Sequence, residues 1–200
     1  MEPMDKKQWR TRLAQQRAEV SVQQQVAEAA ALGEHVTMIM RNLQPTTVCC
    51  YVPFGSEPGS LGVLDALRGA GARVLLPLVP DEPGPLDWAD YEGATSLAPG
   101  RFRGVLEPTG TRRGTGAIVE ADLVLVPALA ADRQGVRLGR GAGFYDRSLA
   151  HASPETELAA VIRDTELVPE LPAQPHDVRM TSVLTPTQGL FRPSEASLSD

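Results

Sequence analysis

Three short runs in this chain are almost wholly apolar, with no polar alternation: Thr47 to Val52, Arg73 to Val79 and Ala121 to Pro127. Successive side chains of a strand point to opposite faces, so runs of this kind need cover on both sides of a sheet. Between the first two lies a helical pattern from Leu61 to Arg68, with Ser60 placed to cap it and Gly69 and Gly71 to close it. The repeat is a β-α-β unit. Leu158 to Ile162 and Ser182 to Leu184 read as further strands. The fold class is α/β, a three-layer α/β/α arrangement with a mainly parallel central sheet, whose ligands collect at the carboxyl ends of the strands.

Two helices precede the sheet. Asp5 to about Arg17 offers only Trp9, Leu13 and Ala14 as apolar positions, so this helix docks by a narrow stripe and its basic residues, Lys6, Lys7, Arg10, Arg12 and Arg17, face solvent or a ligand. Ser21 with Gln24 reads as a capping box opening the second helix, whose apolar face is Val22, Val26, Ala29, Ala30, Val36 and Ile39 or Met40; it ends near Leu43, before Pro45. Prolines and glycines punctuate Pro80 to Gly116, where a meander or long loops are expected, with Leu86 to Tyr91 and Gly104 to Leu106 extended. A chain of 200 residues suits one domain, spanning 1–191, followed by an unstructured serine- and acid-rich tail from Arg192 to Asp200.

Several function classes are excluded at this level. No stretch nears the roughly 20 apolar residues of a membrane span, and MEPMDKKQWR lacks a signal-peptide core, so a cytoplasmic protein with no membrane partner is expected. A formal net charge of −6 argues against nucleic acid and for a small molecule bound at a local basic patch. The expected assembly is a monomer or weak dimer. Cys49 and Cys50 are adjacent on a strand, which suits reduced core residues better than a disulfide or a nucleophile. No zinc spacing, P-loop or GxSxG elbow is present.

The segment richest in chemistry is RLGRGAGFYDR, Arg137 to Arg147. Gly139, Gly141 and Gly143 let a backbone turn tightly and bring its N–H groups to a phosphate, and a helix expected from about Phe144 to Ala150 points its positive end the same way. Arg137 and Arg140 add forked donors suited to phosphate or carboxylate. A turn that needs glycine only for its own angles would look the same. Asp146 is either a helix cap or a Mg²⁺ ligand, and Asp177, in PHDVRM beside His176, either a turn residue or a second oxygen ligand. Glu57, in the loop GSEPGS, is either an exposed loop residue or an acceptor for ligand N–H groups.

Taken in order, KKQWRTRLAQQR, YVPFGSE, VLLPLV, GVLEP, DLVLVPALAADRQGVRLGRGAGFYDRSL and PHDVRM resemble the 5-formyltetrahydrofolate cyclo-ligases, also called 5,10-methenyltetrahydrofolate synthetases, along nearly the whole chain. The resemblance implies an enzyme that uses ATP and Mg²⁺ to convert 5-formyltetrahydrofolate to 5,10-methenyltetrahydrofolate, ADP and phosphate. It implies that Lys6, Arg10 and the loop Arg137, Leu138, Gly139, Arg140, Gly141, Ala142, Gly143, Phe144 and Tyr145 hold ATP. Val52 and Glu57, with Arg140 to Phe144, would hold the folate, Asp146 and Asp177 the metal, and Arg140 and Tyr145 would act in catalysis. The chain departs from the family pattern at Glu57-Pro58-Gly59-Ser60, at Ala131, at Ala142 in place of glycine and at Phe144 in place of tyrosine. A positive φ at Ala142 would cost about 1 kcal/mol or more. Two other readings of the same residues are a non-catalytic nucleotide- or folate-binding module on this scaffold and a sugar-phosphate isomerase-like enzyme.

Overall fold

The computed structural model describes residues 4–193. Helices α1 (Lys6–Ala18) and α2 (Val22–Leu43) lead into β1 (Thr47–Cys49), α3 (Leu61–Gly69), β2 (Arg73–Leu78) and β3 (Asp87–Asp90). A hairpin of β4 (Leu97–Pro99) and β5 (Leu106–Pro108) follows, then β6 (Leu123–Pro127), β7 (Ala130–Asp132), β8 (Arg137–Leu138) and α4 (Phe144–Leu149). The chain closes with β9 (Glu157–Val161), β10 (Leu167–Val168), β11 (Ser182–Thr185) and β12 (Gly189–Phe191).

Seven strands form the central sheet in the order β12-β11-β9-β6-β1-β2-β3. The inner five run parallel, and β3 and β12 pair antiparallel at the two edges. Strand periodicity divides the core cleanly. Val48, Val74, Leu76, Leu123 and Leu125 pack with Leu32, Val36, Leu64 and Leu67 of α2 and α3. Their neighbours Cys49, Leu75, Val124 and Val126 face the other way, against Trp88, Ile118 and Leu149. The second layer is thinner than the first, because α4 has only six residues and a 3-10 turn, Thr115–Glu120, supplies much of the cover.

β1 is shorter than the apolar run, ending at Cys49, and β6 begins at Leu123. Asp122 instead ties the two strand starts together: its Oδ2 accepts from Thr46 N at 2.7 Å, Thr46 Oγ1 at 2.8 Å and Thr47 N at 3.0 Å. Those bonds, the Thr47 N–H first, hold its carboxyl below the usual range.

Helix α2 ends at Leu43 as expected, but Val22 and Val26 at its start are exposed, and fully buried positions begin at Leu32. At 22 residues the helix is about 33 Å long. The six-residue β2 spans about 20 Å, so the helix overhangs the sheet. Ser21 Oγ caps it by accepting from Gln24 N at 3.1 Å, yet the Gln24 amide reaches forward to Glu28 rather than back, so the box is half made. The reciprocal box sits on α1, where Asp5 and Gln8 exchange bonds of 2.8 Å. Ser60 starts α3 without a side-chain cap bond.

Helix α1 buries more than its apolar stripe. Leu13 joins Leu129, Ala130, Val136, Leu138 and Leu171 in a third core, and Arg17, expected on the solvated face, is buried. The stretch after β6 is a β7-β8 hairpin with β10 at its side. Asp132 organises it: Oδ1 accepts from Gln134 N at 2.8 Å and Val136 N at 2.9 Å, and Oδ2 from Leu171 N at 2.9 Å. The expected meander from Pro80 to Gly116 contains β3 and the β4-β5 hairpin, with the second extended piece at Leu106–Pro108 rather than Gly104 to Leu106. Residues 194–200 of the tail lie outside the described residues. Because Asp132 is fully buried and satisfies three backbone donors, Asp132→Ala is expected to lower unfolding free energy by about 3 kcal/mol, read from the midpoint of a urea titration.

Candidate active site

The loops at the carboxyl ends of β1 and β6, the β7-β8 hairpin with the glycine-rich segment after it, and one side of α1 enclose a cleft of about 470 Å³. Every residue singled out from the sequence as a site residue lines it: Lys6, Arg10, Val52, Glu57, Arg137 through Asp146, and Asp177. Arg147, grouped with Arg137 and Arg140 by sequence, turns back and donates to the Ala142 carbonyl at 3.0 Å, bracing the loop from behind.

The glycine-rich loop takes its shape from Gly141 and Gly143, whose φ values are +107° and +71°. Ala142 between them has no positive φ, so the methyl that departs from the family pattern meets no backbone strain. Close approach matters as much as φ. A Cβ on Gly141 would lie 3.2 Å from the Arg10 guanidinium carbon, and one on Gly139 would lie 2.9 Å from Arg137 Nη1. Arg10 Nε also donates to the Gly139 carbonyl at 2.9 Å. Cations and bare backbone therefore share the same wall. With α4 only six residues long, the guanidinium groups supply more positive potential here than the helix end does.

Each cation but Arg10 faces a carboxylate. Lys6 Nζ bonds Asp177 at 2.7 and 2.9 Å, Arg137 Nη2 bonds Asp146 at 2.7 Å, and Arg140 Nε bonds Glu57 at 3.0 Å while stacking 4.4 Å above the Phe54 ring. Arg137 lies over the Tyr145 ring at 5.9 Å, and its buried Nε has no hydrogen-bond partner among the described residues. A buried donor left open beside a cleft is costly unless a ligand takes it up.

Glu57 is not the exposed loop residue that composition alone suggests. Its side chain is 8% exposed, and Oε2 accepts from Phe54 N at 3.2 Å. Burial raises its carboxyl above the ordinary value, with Arg140 pulling the other way. Burial also pushes Asp177 upward, but the Lys6 bond and the Gln174 N–H hold it below the usual range. The Tyr145 phenol is pushed well up by burial and stays protonated. Cys50 is pushed up to about 12 by burial and Cys49 higher still, so neither buried thiol supplies a nucleophile. His176 lies at the rim beside Asp177, whereas His35 bonds the Pro186 carbonyl far along the chain.

Sequence reasoning missed Arg17, Phe54, Gln174 and the apolar wall of Phe102, Val105 and Leu106 from the β4-β5 hairpin. Arg17 carried a usable signal: it lies seven residues after Arg10 and eleven after Lys6, on one helical face. The hairpin residues carried none, since no periodicity marks which side of a short, glycine-punctuated strand faces a ligand.

An α/β sheet with a cationic, glycine-walled pocket at its carboxyl edge, running into an apolar lobe with a buried carboxylate, is the frame of an α/β protein suited to an anionic ligand. The chain belongs to the 5-formyltetrahydrofolate cyclo-ligase family, whose model matches residues 3–186. It is 48% identical over 194 residues to the 5-formyltetrahydrofolate cyclo-ligase of Mycolicibacterium smegmatis, covering 95% of this chain and 98% of that one. The Escherichia coli K12 protein of the same name is 29% identical over 163 residues, covering 78% and 89%. In fold, the chain is similar to the 5,10-methenyltetrahydrofolate synthetase of Aquifex aeolicus, with a TM-score of 0.74, 23% identity and coverage of 98% and 97%. The corresponding Mycoplasma pneumoniae structure gives a TM-score of 0.71 at 19% identity, covering 90% and 98%.

The raised Glu57 carboxyl has a consequence for stability. Because the folded state holds this proton more tightly than the unfolded chain, its contribution is fully present below the ordinary carboxyl value and is lost as pH rises through the raised one. Replacing Glu57 with glutamine is therefore costlier at low pH than above that range. Glu57→Gln is expected to compare better with the parent in melting temperature at pH 7 than at pH 4; calorimetry showing a larger loss at pH 7 than at pH 4 would contradict this.

Proposed function

We propose that this chain is an ATP- and Mg²⁺-dependent 5-formyltetrahydrofolate cyclo-ligase, acting in the cytoplasm on a small-molecule substrate to yield 5,10-methenyltetrahydrofolate, ADP and phosphate. The observation that carries the reading is Arg140, which joins the glycine-rich loop to Glu57 across the mouth of one continuous cleft. A phosphate-binding wall and a pterin-binding carboxylate meeting at one guanidinium is the arrangement that transfer between them requires.

In this reading Lys6, Arg10 and the loop from Arg137 to Tyr145 bind the ATP phosphates, and the buried, unpartnered Arg137 Nε receives an oxygen. Val52, Glu57 and the Arg140 to Phe144 backbone hold the folate, Glu57 accepting from pterin N–H groups. A formamide carbon is a poor electrophile, and its oxygen a poor leaving group, until that oxygen carries the terminal phosphoryl group. N10 then attacks the carbon and phosphate departs. Arg140 stabilises the charge of the transferring phosphoryl group, and Tyr145 supports Arg137 through its ring while its protonated phenol donates. The protein mainly positions and neutralises, so no side-chain nucleophile is needed.

The donor set fits Mg²⁺. Asp146 and Asp177 line the cleft, and no group of three or more His, Cys, Asp or Glu side chains forms a cage among the described residues. Two carboxylates completed by phosphate oxygens and water suit this ion, which would draw charge from the phosphates when bound. Mixing the protein with 5-formyltetrahydrofolate, ATP and Mg²⁺ is expected to produce methenyl absorbance in step with ADP release; a folded protein with no ATP-dependent signal overturns the reading. Arg140→Ala should lower turnover about 100-fold or more with an unchanged circular dichroism spectrum.

A further inference from the structure

Glu57 stands on a turn whose two flanking carbonyls are held from outside it. The Pro58 carbonyl accepts from the Tyr51 phenol at 2.6 Å, and the Ser56 carbonyl accepts from Arg163 Nη1 at 2.9 Å. Inside the turn there is one backbone bond, Glu57 N to Phe54 O at 3.2 Å. Arg163 lies two residues past the end of β9, is buried, and lies outside the cleft lining.

The Arg163 fork is fixed in turn. Nε donates to Glu28 of α2 at 2.7 Å, Nη1 approaches Glu166 at 3.5 Å, and its backbone N–H donates to Glu166 Oε2 at 2.9 Å. Glu166 is gripped by Arg17 through Nε at 2.6 Å and Nη2 at 2.8 Å, and Arg17 Nη2 reaches the Ala128 carbonyl at 2.6 Å. Two arginines and two glutamates thus form a neutral, nearly dry network. Such a network adds little net stability, because desolvation offsets its attraction. What it supplies is geometry: each member left unpaired is expensive, so the set holds one arrangement. Arg17 lies on α1, the helix that carries Lys6 and Arg10.

We propose that Arg163 is a positioning residue for Glu57: it fixes the Ser56 carbonyl and, through Glu166 and Arg17, registers the folate-side turn against the helix that serves the nucleotide. The inference rests on the reading of Glu57 as a folate-binding carboxylate. Its signature is selectivity, since Arg163 grips the turn at one end of the cleft and touches no part of the glycine-rich loop.

The test compares the parent with Arg163→Gln, Arg163→Lys and Glu28→Gln, measuring KM for 5-formyltetrahydrofolate and for ATP separately, together with melting temperature. Losing the charged bond should raise the folate KM of Arg163→Gln about tenfold, with the ATP KM changing less than about twofold. Lysine restores the charge opposite Glu28 and Glu166 but not the planar fork, so Arg163→Lys should recover the melting temperature and keep the raised folate KM. Glu28→Gln should shift folate KM in the same direction by a smaller factor, and it decides the matter with Arg163→Lys if Arg163→Gln does not fold. Folded Arg163→Lys and Glu28→Gln with the parent's folate KM, or with both KM values raised equally, overturn the proposal. Amide exchange over residues 54–58 reads the same claim without turnover: faster exchange in Arg163→Lys supports it and unchanged exchange sinks it, even if the parent proves inactive on folate.

Discussion

Cover on both faces of the central strands is the constraint from which the rest of the molecule follows. Val48, Cys49, Leu75, Val124 and Val126 are all essentially excluded from water, and neighbours along each strand belong to opposite cores. A parallel sheet of this kind needs a crossover after each inner strand, so the loops at its carboxyl edge gather on one side while the covering elements take the faces. Polar residues have no place in such strands. They collect beyond the strand ends, which is why Glu57 after β1 and Arg163 after β9 meet at one turn, and why Glu57 shares a cleft with Arg137 of β8, although all three are far apart in the chain.

How much of this was legible in the sequence depends on the distance over which each feature is specified. The three buried runs, the helix between the first two and the glycine-rich loop announce themselves locally, through periodicity or through residues that only a tight turn tolerates. Asp132 did not, because its partners Val136 and Leu171 identify it as the hub of a hairpin only once the chain has folded back. Arg17 misled for the same reason. On a helix rich in lysine and arginine it reads as solvated, and its burial is accounted for by Glu166, 149 positions away, and by the Ala128 carbonyl. Glu57 was underrated because loop composition says nothing about what lies over a loop.

The cleft also has to exist before its ligands arrive. Lys6, Arg10, Arg137 and Arg140 face one cavity, and like charges gathered without an anion repel. Asp177, Asp146 and Glu57 answer that repulsion one by one. In the proposed reaction the same three carboxylates have other work, two at the metal and one at the pterin, so binding becomes an exchange of partners rather than the filling of an empty hole. In that reaction Lys6, Arg137 and Arg140 would each move from a carboxylate to a phosphate oxygen, and each carboxylate would be released to its own ligand.

That exchange links the two ends of the cleft through Arg140. While its Nε serves Glu57, neither group is fully available to a ligand. Were a phosphate in the proposed site to draw the guanidinium away, Glu57 would be left buried, with the Phe54 N–H as its remaining described partner. A buried carboxylate short of donors is a strong acceptor for the N–H edge of a pterin. In the proposed reaction, occupation of the phosphate wall would thereby strengthen the folate end, and by linkage the folate end would strengthen the phosphate wall in equal measure. Such coupling requires the Glu57 turn to stay put when Arg140 leaves. Its two clamped carbonyls, one on the Tyr51 phenol and one on the Arg163 fork, provide that independence.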